Sequence, residues 1–137
     1  MQEVQCGAMV AACLAVASCM PQIVQPTRRV AGAYCLQRWT EAGERFYLVK
    51  CSEGVGPGGG GVLDGVVLRF GWNDRYLLAE RRAIVRSNPD GWMLVDTRTQ
   101  AITGPLSDTE LQSRMKDVPE LSALKVQTVK DAWQQLK

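Results

Sequence analysis

The sequence predicts an α+β fold, a five-stranded antiparallel meander covered by one or two C-terminal helices and preceded by an N-terminal signal segment. Three observations carry that expectation. Apolar runs of strand length recur between Val30 and Thr97, and the short turn signals between most of them favour neighbours in sequence as neighbours in the sheet. After Gly104 the pattern changes to a helix-capping sequence followed by apolar residues at helical spacing. Ahead of both lies an uncharged, mostly small and apolar run, Cys6 to Met20.

At 137 residues the chain has the length of one domain with one modest core. The expected division is a signal segment over 1–18, a tether over 19–29 and a single α+β domain over 30–137. Sixteen basic against 14 acidic residues leave a formal charge of +2 with no clustered basic face, so nucleic acid is not an expected partner. Histidine is absent, which removes the commonest general base, the usual zinc ligand and every Ser-His or Cys-His pair. No metal, cofactor or catalytic residue is therefore expected. The two carboxylates worth watching, Asp74 and Asp96, have ready roles at a turn and a strand end, and the chain reads as no enzyme.

The run Cys6 to Met20 is 15 residues long, short of the roughly 20 apolar residues a bilayer-spanning helix needs, and suits the apolar region of a secretory signal. Its end, Val16-Ala17-Ser18-Cys19, resembles the bacterial lipoprotein signal, in which small residues precede a cysteine that becomes the lipidated first residue. The leading MQEVQ carries Glu3 and no Lys or Arg, a departure from the usual positive start. The expected location is the cell envelope, anchored through lipid on Cys19 and facing the periplasm. Met20 stands where an aspartate would imply inner-membrane retention, which favours the outer membrane. The alternative is a buried N-terminal helix in a cytosolic domain.

Removing the signal takes Cys6 and Cys13 away and gives Cys19 to the lipid, leaving Cys35 and Cys51. An even pair in an exported protein invites a disulfide. If 34–39 and 46–51 are strands about a turn centred on Gly43, Trp39 lies opposite Tyr47, Gln37 opposite Val49 and Cys35 opposite Cys51. Two free buried thiols are the competing reading.

From Met20 to Arg29 two prolines and no repeating pattern suit an extended tether. The segments beginning at Val30 and at Phe46 form the first hairpin. In the loop Gly54 to Gly61, glycines 54, 56 and 59 match G-x-G-x-x-G, but a strand follows where the nucleotide fingerprint requires a helix, so the loop reads as a connection. Val66 to Ala83 is the central hairpin, turning at Asn73-Asp74, with Phe70 facing Leu77, Leu68 facing Ala79, Val67 meeting Glu80 and Arg69 meeting Leu78. Ser87 to Gly91 is a dense turn signal before a fifth strand, Trp92 to Thr97. Ser107-Asp108-Thr109-Glu110 fits a capping box, and its helix should stop before Pro119. Beyond it, Val126, Val129, Trp133 and Leu136 line one helical stripe that should lie on the meander.

Gly71-Trp72-Asn73-Asp74-Arg75-Tyr76, then Trp92-Met93-Leu94-Val95-Asp96, then Gly104-Pro105-Leu106-Ser107 resembles a family of small bacterial lipoprotein-type domains of unknown function. Their shared pattern is a G-[WF]-N-D-[RK]-Y hairpin, a W/Y-x-[IV]-[IVL]-D strand and a G-P-L-[ST] helix start. The likeness runs from about Ala31 to Pro119. It implies secretion and a compact antiparallel sheet with a helix, and brings no catalytic residues. The combined expectation is a lipid-anchored envelope protein with a non-catalytic binding or structural role, held to the membrane by its lipid and meeting a protein partner. Contact candidates are Trp72, Arg75, Arg81 and Arg82, with Arg86 nearby; packing at a turn and a solvated strand end is the simpler account of them. The alternative function is a periplasmic inhibitor or immunity-type protein that blocks a toxin or hydrolase.

Overall fold

The computed structural model describes residues 25–41, 43–55, 59–85 and 87–137. The signal segment 1–18, Cys19, the first part of the tether and Arg86 lie outside the described residues. The order is β1 (Thr27–Ala31), β2 (Tyr34–Trp39), β3 (Arg45–Lys50), a 3₁₀ turn (Gly61–Leu63), β4 (Gly65–Trp72), β5 (Tyr76–Ala83), β6 (Gly91–Asp96), β7 (Ile102–Leu106), α1 (Asp108–Asp117), α2 (Pro119–Ser122), β8 (Gln127–Thr128) and α3 (Val129–Gln135). The protein is mostly antiparallel sheet with a few helices, as the sequence predicts.

The single meander does not form. The strands divide into a three-stranded sheet, β1-β2-β3, and a five-stranded sheet ordered β7-β6-β5-β4-β8. The glycine-rich connection after β3 is long enough to release β4 from pairing with it, so the first hairpin packs on the second instead of extending it. Residues 27–29 of the expected tether belong to β1, which pairs with β2 from Thr27↔Gln37 to Ala31↔Tyr34.

The first hairpin keeps its expected faces and shifts its register by two residues. The central hairpin does the same from Arg69 to Trp72, but beyond its bulge Val67 turns to the face of Phe70, and Leu68, expected on that face, turns out. Cys35 lies opposite Val49, Gln37 opposite Tyr47 and Trp39 opposite Arg45. In the central hairpin Trp72 faces Leu77, Phe70 faces Ala79 and Arg69 faces Glu80. The turn residues there are Asp74-Arg75, because the Asn73 and Tyr76 backbones close the reversal at 3.0 Å. Asn73 stands before the turn, where its Oδ1 accepts the Arg75 and Tyr76 amides at 2.9 and 2.7 Å. A two-residue slip leaves each side chain on its side of the sheet, since the strand period is two.

Alternation places Tyr34, Leu36, Phe46 and Leu48 of the small sheet in one cluster with Val67, Phe70, Leu77, Ala79, Met93 and Val95 of the large one. This is the main core, closed by Val129, Ala132 and Trp133 of α3. Val67 and Phe70 are three apart and would point to opposite faces of a regular strand. A bulge between Val67 and Arg69 restores both to the core and leaves Leu68 exposed. The opposite face of the large sheet, with Leu78, Trp92, Leu94 and Leu106, is covered by Leu111 of α1 and Leu121 of α2. Full burial of one such leucine contributes about 2 kcal/mol.

The capping box forms: Ser107 Oγ accepts the Glu110 amide at 3.1 Å, and Glu110 Oε1 accepts the Ser107 amide at 2.9 Å. The expected terminal stripe is interrupted. Val126 packs with the second cluster, whereas Val129, Trp133 and Leu136 pack with the first, because β8 pairs with Arg69 and Phe70 before α3 begins.

Candidate functional site

The outward face of the small sheet carries a recess lined mainly by carbon. Cys35, Gln37 and Trp39 alternate out of β2, and Arg45, Tyr47 and Val49 out of β3. Cys35 and Cys51 form the predicted disulfide with Cα atoms 5.1 Å apart. The bond forms despite the shifted register because Cys51 lies just past β3, where its amide donates to the Ala33 carbonyl at 2.8 Å. The disulfide, Tyr47, Val49 and Val66 form a third apolar cluster, against which Trp39 and Val55 pack.

Trp39 and Tyr47 meet edge to face, their ring centroids 6.4 Å apart, and form the wall of a groove of about 300 Å³. Val55 and Gly59 form its other side, and Glu41 and Arg45 stand at its rim. Gln37 fixes the wall to the loop: its Oε1 accepts Trp39 Nε1–H at 3.0 Å and the Val55 amide at 3.2 Å. A recess with aromatic and aliphatic walls and one charge of each sign can hold an apolar side chain flanked by polar groups.

The sequence-predicted contact residues do not converge on one surface. Trp72 is half-buried and stacks on Phe70 with centroids 5.6 Å apart. Arg75 lies 5.1 Å over the Tyr76 ring and donates through Nη2 to Asp96 Oδ2 at 3.3 Å. Arg81 is 5% exposed and is corrected here from contact residue to structural residue: it shares the core face of β5 with Leu77 and Ala79. Its Nη1 donates to the Leu63 carbonyl at 3.0 Å and its Nη2 to the Pro89 carbonyl. Arg82 is exposed on the opposite face.

Asp96 also accepts the Arg98 and Thr99 amides at Oδ1. Burial pushes its carboxyl up, but those amides and the Arg75 guanidinium outweigh it and hold the group below the usual aspartate range. Asp74 is exposed at the turn, and its backbone carbonyl accepts Thr97 Oγ1–H at 3.0 Å. Asp96 therefore serves the hairpin geometry through its carboxylate, and Asp74 through its backbone carbonyl. Among the described residues no group of three Cys, Asp or Glu side chains is placed to hold a metal ion, and no helix is long and apolar enough to cross a membrane.

Sequence reasoning missed the groove because it treated Trp39 and Tyr47 as pairing partners only. Their odd-numbered positions with Cys35 and Cys51 already placed all four on one face. Compared with known proteins, the chain matches no family model, no curated protein and no solved structure. The fold and the groove define a disulfide-bonded antiparallel domain with a helical cover on one side.

Proposed function

We propose that the chain is a lipid-anchored protein of the bacterial cell envelope, tethered through Cys19 and facing the periplasm, with a non-catalytic binding role. The observation that carries this reading is the Cys35–Cys51 disulfide, which fits an oxidising compartment outside the cytoplasm. The lipoprotein-like Val16-Ala17-Ser18-Cys19 supplies the anchor, and the resemblance to lipoprotein-type domains agrees with it. The Trp39–Tyr47 groove is the contact surface. It takes an apolar side chain of a protein partner, with Glu41 and Arg45 meeting charges of opposite sign beside it.

Fractionation and envelope pull-down test both parts. Wild-type protein should sediment with membranes and Cys19→Ala should move to the soluble periplasmic fraction. Trp39→Ala should keep the membrane location and lose the co-purifying partner. Wild-type protein found in the cytoplasm with Cys35 and Cys51 open to alkylation would refute the localisation. A partner retained by both Trp39→Ala and Arg45→Glu would refute the groove.

A further inference from the structure

In a second cleft three cations from three elements stand with one carboxylate. Arg28 comes from β1, Arg38 from β2 and Lys130 from α3, and with Glu44, Trp133 and Gln134 they line an open cleft of about 430 Å³. Arg38 Nε donates to Glu44 Oε2 at 2.6 Å, and Lys130 Nζ lies 3.5 Å from Glu44 Oε1. Arg28 sits 4.4 Å over the Trp133 ring and donates through Nη1 to the Trp133 and Leu136 carbonyls at 2.7 and 3.3 Å.

We propose that this cleft binds a phosphate monoester, free or displayed as a lipid head group. The Arg38 hydrogen bond foremost, with Lys130 assisting, holds Glu44 below the usual carboxylate range, so it is ionised at neutral pH. Three cations against that single carboxylate leave two positive charges in the cleft, the complement of a phosphate dianion and one more than a carboxylate ligand would neutralise. The donors are in surplus as well. Among the described residues Arg38 spends only Nε and Arg28 only Nη1, which leaves both Nη groups of Arg38 and the Nη2 of Arg28 for a forked contact with phosphate oxygens. Arg28 is held in place before any ligand arrives, by the α3 carbonyls it caps and the indole it covers. Glu44 acts as a resident competitor that occupies Arg38 and Lys130 when phosphate is absent. None of these residues lines the Trp39–Tyr47 groove, so the site stands whether or not that groove binds a protein.

The test uses the full-length chain carrying Cys19→Ala, so that no acyl chain contributes. One arm titrates it with inorganic phosphate at constant ionic strength set by chloride, followed by calorimetry. The other sediments it with vesicles of phosphatidylcholine alone or with added phosphatidic acid. Saturable phosphate binding is expected, weakened about tenfold by Arg38→Gln and by Lys130→Gln, as the loss of one charge-assisted contact implies. Glu44→Gln should tighten binding, an outcome opposite in sign that unfolding cannot mimic. Binding in the first arm alone identifies a free phosphate ligand; preference for phosphatidic acid, lost in the same variants, identifies a head group. The proposal is overturned if neither arm shows binding beyond the chloride control, or if Arg38→Gln and Lys130→Gln, folded by circular dichroism, bind as wild type does.

Discussion

Arg81 shares a strand face with Leu77 and Ala79, and that parity draws a guanidinium into the interior. Burying a cation is costly unless its donors find partners; the Leu63 and Pro89 carbonyls take Nη1 and Nη2, while Nε is buried with no partner among the described residues. Arg81→Met keeps the aliphatic stem but removes both donors, and should lower stability by about 1–3 kcal/mol in urea denaturation. Arg82→Met, one residue on and exposed, should change it little. Asp96 makes a pH prediction. Its folded carboxyl titrates below the unfolded one, so the stability it contributes is present above about pH 4 and is lost as pH falls through the folded value. Thermal unfolding of the wild type should therefore weaken more steeply below about pH 4 than that of Asp96→Asn. The parity of Arg81 was readable in the sequence. Its burial was not, because an arginine at a strand end is ordinarily solvated and only the approach of the Leu63 and Pro89 loops decides otherwise.

Among elements, α1 was legible because its start is decided within four residues: the Ser107 hydroxyl and the Glu110 carboxylate satisfy each other's amides wherever the helix lies. Ser107→Ala should cost about 1 kcal/mol, measured as a lower denaturation midpoint with an unchanged slope. The edge strands β1 and β7 were not legible, whereas β3, also at an edge of its sheet, was. β1 carries Arg28 and Arg29, and β7 contains Gly104-Pro105; charges and proline are what edge strands tolerate and what makes them read as linkers. The turn at Gly61–Leu63 was hidden in the glycine-rich connection. Gly61 has φ +62°, and a Cβ there would strike the Leu48 carbonyl. Gly61→Ala combines a left-handed backbone with that collision and should destabilise by roughly 1–3 kcal/mol, with loss of hydrogen-exchange protection in β3.

For the whole molecule, the disulfide closes a sequence separation of 16 within the small sheet. Reducing it should cost about 3 kcal/mol and loosen the loop that Gln37 ties to Trp39, so reduction should also weaken the groove's contact with its partner. Charge, lack of histidine, the cysteine partners, the α1 cap and the face of nearly every strand residue were determined by the sequence alone. They depend on counting, on a period of two, or on contacts a few residues apart. The division into two sheets, the bulge that turns both Val67 and Phe70 inward, and the meeting of Arg28, Arg38 and Lys130 were decided by tertiary structure. Each requires segments distant in the chain to compete for the same core, and a short local pattern carries no information about which of them wins.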